Sequence, residues 1–221
     1  MPGVHNLLKW EKTGEHQVAV FARYPQLGKC KTRLARDIGP EKALHVYQSL
    51  LTYTLGLLQG GDFRHSVWVT PDAHAKNQGS WAPGNGQRFP QGGGDLGQRL
   101  ENCCRFFLID QKVKSLLIIG TDCVELEADH LERALARLEE VDVVLGPAND
   151  GGYYLIGLRK MVPELFRNIS WSTAQVLQQT ISVLKTKNLS YFCLPELVDI
   201  DTFTDLTRFR DAPIFRDLNL G

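Results

Sequence analysis

Four basic side chains lie close together in residues 23–33, the segment Arg-Tyr-Pro-Gln-Leu-Gly-Lys-Cys-Lys-Thr-Arg, without an acidic residue between them. They are Arg23, Lys29, Lys31 and Arg33. Because the segment follows the apolar run 18–22, we expect a loop at the carboxyl end of a strand, where α/β sheets bind ligands. Such a loop favours a compact, strongly negative ligand such as a polyphosphate. A solvated basic turn is the alternative, and most charge clusters are of that kind.

Carboxylates are expected at the same edge of the sheet. Asp122 comes just after the apolar run 116–120, and a carboxylate there can bind a magnesium ion that bridges phosphate oxygens. Asp122 also fits a turn before the next helix. The segment 198–202, Val-Asp-Ile-Asp-Thr, offers a second carboxylate from Asp199 or Asp201, although either residue can serve as a turn or cap.

Composition limits the classes of partner. The 221 residues contain 25 basic and 25 acidic side chains, so nothing indicates a nucleic-acid or anionic-membrane surface. The apolar runs are too short to span a bilayer, and the first 16 residues lack the apolar core of a signal peptide. We therefore expect a cytoplasmic protein that does not insert into membranes. The sequence leaves open whether it forms a homo-oligomer.

Several motifs are discounted. Five cysteines at irregular spacing argue against disulfides, and only Cys30, between two lysines, is in a place where its pKa could fall. The six histidines never reach the close spacing of metal ligands. Residues 92–97 match G-x-G-x-x-G but follow a loop, which argues against a dinucleotide cofactor. Gly94 is instead expected to bring its backbone near a ligand at the start of a helix.

Strands and helices alternate along the chain. Strands are predicted at 18–22, 66–70, 116–120, 142–146, 153–157 and 191–194, and helices at 40–58, 95–109, 128–139, 172–187 and from 202. The stretch 71–94 is expected to be a binding loop or a mobile loop. Residues 149–152, Asn-Asp-Gly-Gly, predict a hairpin that adds an antiparallel strand. The pattern predicts one α/β domain with a mixed, mostly parallel sheet and helices on both faces.

Five segments together resemble the DUF2064 family. They are residues 21–34, 120–126, 145–158, 169–173 and 194–202, of which Asn-Asp-Gly-Gly-Tyr-Tyr-Leu-Ile-Gly at 149–157 is the most specific. That family is described as glycosyltransferase-like, with the GT-A fold of nucleotide-diphospho-sugar transferases. The resemblance covers residues 17–206, which implies a single GT-A-like domain with an extension at 1–16 and a tail at 207–221.

The chain also looks, more distantly, like GT-A nucleotidyltransferases, including guanylyltransferases of molybdenum-cofactor and 2-phospholactate metabolism. In those enzymes a Gly-rich loop carries a lysine and a Thr-Arg pair, to which Gly28, Lys29, Thr32 and Arg33 are similar. Their magnesium ligands match Asp122 and Asp201. The sequence departs from GT-A glycosyltransferases at 122–124, Asp-Cys-Val, where Asp-x-Asp is common.

These observations predict a magnesium- or manganese-dependent transferase that takes a sugar from a nucleotide sugar to an unknown acceptor. A nucleotidyltransferase that joins a nucleoside triphosphate to a phosphorylated small molecule is the alternative, and a silent nucleotide-sugar binding protein is the third hypothesis. The predicted catalytic residues are Lys29, Arg33 and Asp150. The predicted substrate-binding residues are Arg23, Lys29, Lys31, Thr32, Arg33, Gly94, Asp150 and Tyr153, and the metal ligands are Asp122 and Asp201. Asp150 and Tyr153 are expected to face the acceptor, and Trp171 either stacks on a ring of the substrate or belongs to the core.

Overall fold

Seven strands form one sheet in the computed structural model, which describes residues 15–76, 81–82 and 86–218. They are β1 (His16–Arg23), β2 (Arg64–Thr70), β3 (Gln87–Pro90), β4 (Ser115–Ile119), β5 (Val143–Pro147), β6 (Tyr153–Leu158) and β7 (Tyr191–Cys193). Their order across the sheet is β3-β2-β1-β4-β6-β5-β7. Only β6 runs antiparallel to its neighbours, β4 and β5, so the predicted mixed, mostly parallel sheet is confirmed.

Six α-helices accompany the sheet within the residues that the structure describes. They are α1 (Ala35–Ile38), α2 (Pro40–Leu57), α3 (Leu96–Cys104), α4 (Ala128–Leu138), α5 (Val176–Thr186) and α6 (Phe203–Arg208). Short 3-10 helices lie at Asp72–Lys76, Pro163–Phe166 and Pro213–Phe215, and a π-helical segment, Arg105–Asp110, continues α3. Asp95 and Gln98 form the predicted capping box of α3, and Thr202 caps α6.

Two local predictions are wrong. Strand β3 was predicted as part of an irregular stretch, because four residues give too short a pattern to recognise before they pair with β2. The helix predicted from Ser172 begins at Val176 instead. Ser172 adopts a positive φ of 62°, and the Thr173 hydroxyl donates to the carbonyl oxygen of Ser170, at 2.7 Å, rather than capping the helix.

The core has one layer on each face of the sheet. Side chains of β1 alternate between them: Val18 and Val20 pack on the side of α2 and α4, and Ala19 packs on the side of α3 and α5. Strand β4 is buried along its whole length, as expected for a central strand covered on both faces. This arrangement brings the carboxyl ends of β1, β2, β3, β4, β5 and β7 to one edge of the sheet.

A third cluster packs beneath that edge. It joins Leu34 at the start of α1, Leu50 of α2 and Ile200, and Phe215 from the segment predicted as a tail is buried among them. The chain after residue 206 therefore contributes to the packing that supports residues 31–34 and 199–201. Residues 1–14, most of the predicted N-terminal extension, lie outside the described residues, as do 77–80 and 83–85 of the predicted loop. Within the described residues, no helix has the length and apolar character that crossing a membrane requires.

We expect Phe215→Ala to lower the free energy of unfolding by about 3 kcal/mol, because it removes a fully buried aromatic ring from this cluster. Urea denaturation measures the change. Phe203→Ala is the matched control, since Phe203 is 39 % exposed on α6 and its loss should change stability by less than about 1 kcal/mol. Equal stability of the two variants would mean that the segment after α6 does not support the fold.

Candidate functional site

Lys31, Asp122 and Asp201 meet at the carboxyl edge of the sheet. The Lys31 Nζ atom lies 2.6 Å from Asp122 Oδ1 and 3.5 Å from Asp201 Oδ1. The lysine side chain is only 4 % exposed, whereas both carboxylates are 40 % exposed. The two predicted metal ligands are therefore brought together, with an ammonium group between them.

The backbone holds the two carboxylates in register. Cys123 forms an antiparallel β-bridge with Asp199, and the Ile200 amide donates to the carbonyl oxygen of Asp122 at 3.0 Å. The Asp201 amide donates to Asp205 Oδ2, which also accepts from the Thr202 amide in the capping box of α6. The segment after β4 and the segment before α6 thus form one fixed unit, with Asp122 and Asp201 on it.

Asp199 is a partly buried carboxyl group next to this pair. Its Oδ1 accepts a hydrogen bond from Cys123 Sγ at 2.7 Å, and its amide donates to Asn149 Oδ1 at 3.0 Å. Burial, together with the negative charge of Asp122, raises the pKa of Asp199 to about 7. The sequence pattern alone offered Asp199 or Asp201, and the family resemblance favoured Asp201. In the structure Asp201 contacts Lys31, and Asp199 holds the two segments together.

Opposing effects set the pKa of Lys31. Burial lowers it, but the charges of Asp122 and Asp201 and the hydrogen bond to Asp122 more than compensate, so the pKa is raised. The ammonium group is therefore charged. Lys31 adopts a positive φ of 48°, and its carbonyl oxygen accepts a hydrogen bond from the Ala35 amide at 2.8 Å, at the start of α1.

Two of the four basic side chains of the loop are paired with carboxylates, and the role of all four in phosphate binding stays a prediction. Lys31 is paired inside the site, and Arg33 Nη1 lies 3.3 Å from Asp201 Oδ2 at the exposed rim. Arg23 and Lys29 are exposed, and within the described part of the chain no ion pair engages either of them. Exposed Thr32 lies between Lys31 and Arg33. Local sequence does not show which of these cations are paired, because the partners of Lys31 and Arg33 lie far away along the chain.

Tyr47 fixes the start of this loop. Its hydroxyl donates to the Arg23 carbonyl at 2.6 Å and accepts from the Arg23 amide at 2.8 Å, which ties the end of β1 to α2. Cys30 is buried, and burial raises the pKa of its thiol. The pKa of Cys30 does not fall, because desolvation of the thiolate outweighs the lowering effects of the Gln26 backbone and of the Arg23 and Lys31 charges.

The glycine-rich segment that precedes α3 has a structural role. Gly94 adopts a positive φ of 93°, and its carbonyl oxygen accepts from Arg99 Nε at 3.1 Å. Buried Gln91 donates to the carbonyl oxygens of Ala22 and Trp68, so the segment is anchored beside the ends of β1 and β2. Gly97 packs against Phe166 and Trp171, where a Cβ atom would overlap the Phe166 carbonyl oxygen. The placement of Gly94 at the binding edge stays a prediction.

Asp150 and Tyr153 point in different directions. Asp150 is exposed at the hairpin, where its Oδ1 accepts from the Gly152 amide at 2.8 Å, and its charge contributes to the raised pKa of Asp199. Asp150 therefore lies near the carboxylates, although it also forms the turn. The Tyr153 hydroxyl oxygen is buried, and its ring meets Trp171 edge to face on the α3 and α5 side. The prediction that Tyr153 faces the acceptor is wrong, and Trp171 belongs to the core periphery.

The pair Asp122 and Asp201 suits a metal ion that takes its other ligands from water and substrate. Among the residues that the structure describes, no group of three or more His, Cys, Asp or Glu side chains is placed to bind a metal ion. Two partly exposed carboxylates nevertheless face one cation, the Lys31 ammonium. Magnesium in phosphate sites takes one or two carboxylates, with waters and substrate phosphates completing its shell. The donor set therefore fits an ion that binds together with a phosphate-bearing substrate.

Solved structures share this architecture. A candidate nucleotide-diphospho-sugar transferase from Desulfovibrio desulfuricans G20 is 29 % identical, covers 92 % of this chain and 93 % of its own, and gives a TM-score of 0.82. Rv0371c from Mycobacterium tuberculosis H37Rv in complex with manganese is 11 % identical over 89 % of this chain and 98 % of its own, with a TM-score of 0.51. At this identity only the fold is shared. No curated protein matches the sequence.

The fold is that of the nucleotide-diphospho-sugar transferases, as the sequence resemblance predicted. A third structure with this fold is the 4-diphosphocytidyl-2C-methyl-D-erythritol synthase of Anaerococcus prevotii DSM 20548, 9 % identical over 87 % of this chain and 95 % of its own, with a TM-score of 0.52. The family model of DUF2064, described as an uncharacterized protein conserved in bacteria, matches residues 54–173. This chain belongs to that family.

We expect Gly97→Ala to lower the free energy of unfolding by roughly 1 to 3 kcal/mol, because the added methyl group would overlap the Phe166 carbonyl oxygen and the Trp171 indole. Thermal and urea denaturation measure the loss. Gly93→Ala is the control, because nothing lies within 4 Å of the position of its added Cβ atom. If both variants match the wild type, α3 does not pack as closely as described.

Proposed function

We propose that this chain is a divalent-metal-dependent transferase acting on a nucleotide diphosphate unit. The observation that carries the proposal is the convergence of Asp122 and Asp201, from two distant segments, beside a loop with three exposed cations. The shared fold, with a TM-score of 0.82 to the Desulfovibrio protein, supports the substrate class. The proposed substrate is a nucleotide sugar, and the acceptor is a small molecule.

The chain's own residues have distinct proposed roles. Asp122 and Asp201 hold Mg²⁺ or Mn²⁺, which when bound supplies positive charge next to the leaving phosphate. Lys29 and Arg33 contact phosphate oxygens and stabilise the charge that develops on the leaving group. Arg23 and Thr32 add contacts from the same loop. Each charge-assisted contact contributes about 1.5 to 3 kcal/mol, so the loss of one weakens binding without abolishing it.

Asp150 is proposed to lie on the acceptor side. It is exposed and close enough to Asp199 for its charge to raise the pKa of that residue, so it belongs to the same edge of the sheet. Only one of its oxygens accepts the Gly152 hydrogen bond, which leaves the other for an acceptor hydroxyl. Gly94 is proposed to line the opposite side, near the ends of β1 and β2, where Gln91 anchors its segment.

Nucleotidyl transfer is the second candidate, and one observation favours it. Many GT-A glycosyltransferases carry Asp-x-Asp after the central strand, but here the position two residues after Asp122 is Val124, which packs against the cluster around Leu34 and Ile200. The strand end therefore supplies one carboxylate to a metal ion instead of two. A silent nucleotide-sugar binding protein is the third hypothesis, supported if nucleotides bind tightly and no substrate turns over.

We expect Asp122→Ala and Asp201→Ala each to weaken metal-dependent nucleotide binding by roughly 10- to 100-fold, the equivalent of one charge-assisted contact. Thermal shift with nucleoside diphosphates, with and without Mg²⁺ or Mn²⁺, measures the effect because ligand binding raises the melting temperature. Each variant is compared with its own unliganded form, since loss of Asp122 also removes the closest partner of Lys31. Asp110→Ala, at an exposed residue, is the control. A wild-type metal response in both variants would exclude the proposed site.

Product analysis separates the two chemistries. A glycosyltransferase releases a nucleoside diphosphate from a nucleotide sugar, whereas a nucleotidyltransferase releases pyrophosphate from a nucleoside triphosphate. We expect metal-dependent release of nucleoside diphosphate when nucleotide sugars are incubated with a panel of acceptors, and its loss in Asp122→Ala. Pyrophosphate release from a triphosphate and a phosphorylated small molecule, without diphosphate release from any nucleotide sugar, would reverse the order of the two candidates.

A further inference from the structure

Lys31 lies in the position that a metal ion would take between Asp122 and Asp201. Its Nζ atom contacts both carboxylates, and its side chain is 4 % exposed. We propose that Lys31 is a tethered counter-cation that competes with the metal ion for these carboxylates and moves to the substrate phosphates when the ion binds. Metal and phosphate then bind cooperatively. This inference rests on the proposed function, whose metal site it uses.

The charges make the competition unavoidable. Asp122 and Asp201 carry two negative charges, and Lys31 with Arg33 already supplies two positive charges to them. A divalent ion that joined the carboxylates with Lys31 in place would lie next to an ammonium group in a poorly hydrated position, where like charges repel strongly. The ion therefore binds well only after the ammonium group has left.

The Lys31 side chain is the part of this cluster that no backbone contact fixes. Asp122 and Asp201 are fixed by the bridge between Cys123 and Asp199 and by the hydrogen bond from the Ile200 amide. The backbone of Lys31 is also held, because the adjacent Cys30 is buried and the Lys31 carbonyl accepts from the Ala35 amide. Rotation of the long lysine side chain is therefore enough, and no movement of a secondary-structure element is needed.

The displaced ammonium group needs another anion. Lys31 belongs to the same loop as Lys29 and Arg33, whose exposed side chains are proposed to contact the phosphates. A polyphosphate at this loop would draw Lys31 from the carboxylates, and the vacated position would accept the metal ion. By linkage, each ligand then raises the affinity for the other by the same factor, for which about 5- to 150-fold is typical.

A purely structural ion pair is the alternative. In that case Lys31 stays between the carboxylates in every state and its replacement destabilises the protein without improving metal binding. The two accounts predict different results for the affinity for metal alone: replacement of Lys31 raises it only if Lys31 competes with the ion. The test is therefore a binding measurement that needs neither turnover nor knowledge of the base or sugar.

We would titrate the protein with Mn²⁺ alone and measure the concentration of free Mn²⁺ by electron paramagnetic resonance. Lys31→Met should bind Mn²⁺ at least about fivefold more tightly than the wild type, because the competing ammonium group is gone. Lys31→Arg, which keeps a cation, should stay close to the wild type. Lys42→Met makes the same chemical change at an exposed lysine of α2 and controls for net charge. A folded Lys31→Met variant that binds Mn²⁺ no more tightly than the wild type would overturn the inference.

The second arm uses the wild type only, so it does not depend on the folding of a variant. Pyrophosphate, which has no base or sugar, is added at fixed concentrations, with protein-free mixtures as the reference for Mn²⁺ bound in solution. Mn²⁺ affinity should rise by about five-fold or more. If Mn²⁺ binds but pyrophosphate does not change its affinity, the coupling is wrong and the metal site stands. If no Mn²⁺ binds under any condition, both the inference and the metal-dependent function are wrong.

Discussion

The adjacency of β1 and β4 is the constraint on which the site depends. The two strands pair in parallel, so the basic loop that follows β1 and the Asp122 segment that follows β4 leave the sheet at the same edge. Because paired parallel strands run in the same direction, the segments that follow them start side by side, whatever turns they contain. The contact of 2.6 Å between Lys31 and Asp122 is the direct consequence, and it joins the positive and negative halves of the site.

The C-terminal segment completes this edge by crossing it. Residues 197–201 pair with Ala148 after β5 and with Cys123 after β4, and thereby carry Asp201 to Lys31. Ile200 packs below with Leu34 and Phe215, while Asp199, next to it, accepts a hydrogen bond from the Cys123 thiol. Residues 197–201, the C-terminal strap, therefore supply the carboxylate of Asp201 that contacts Lys31, the hydrogen-bonded carboxyl group of Asp199 and the apolar anchor Ile200. Successive side chains of an extended backbone point to opposite sides, so Ile200 faces the core while Asp199 and Asp201 face the site.

Sequence patterns predicted most of the fold because they are local. The apolar run of β4, the stripe of α2 and the turn at 149–152 each depend on residues within a few positions of one another. The sequence patterns gave wrong predictions where the element is short or where its bounds depend on a contact with another segment. Strand β3 exists because it pairs with β2, and the start of α5 is set by the turn around Ser170 and Thr173.

By itself, the sequence determined the order of the elements, the basic loop after the first strand and the carboxylate after the central strand, because these follow from runs and spacings within single segments. Only the tertiary structure decided what those side chains contact. Lys31 and Asp201 are separated by 170 positions in the chain. The ammonium group is buried between two carboxylates only because residues 197–201 cross the carboxyl edge of the sheet. The same holds for Cys30, whose burial outweighs its basic neighbours, and for Tyr153, whose hydroxyl turns into the core. Electrostatics and burial depend on the distance between side chains in space, and that distance is set only when the sheet has formed.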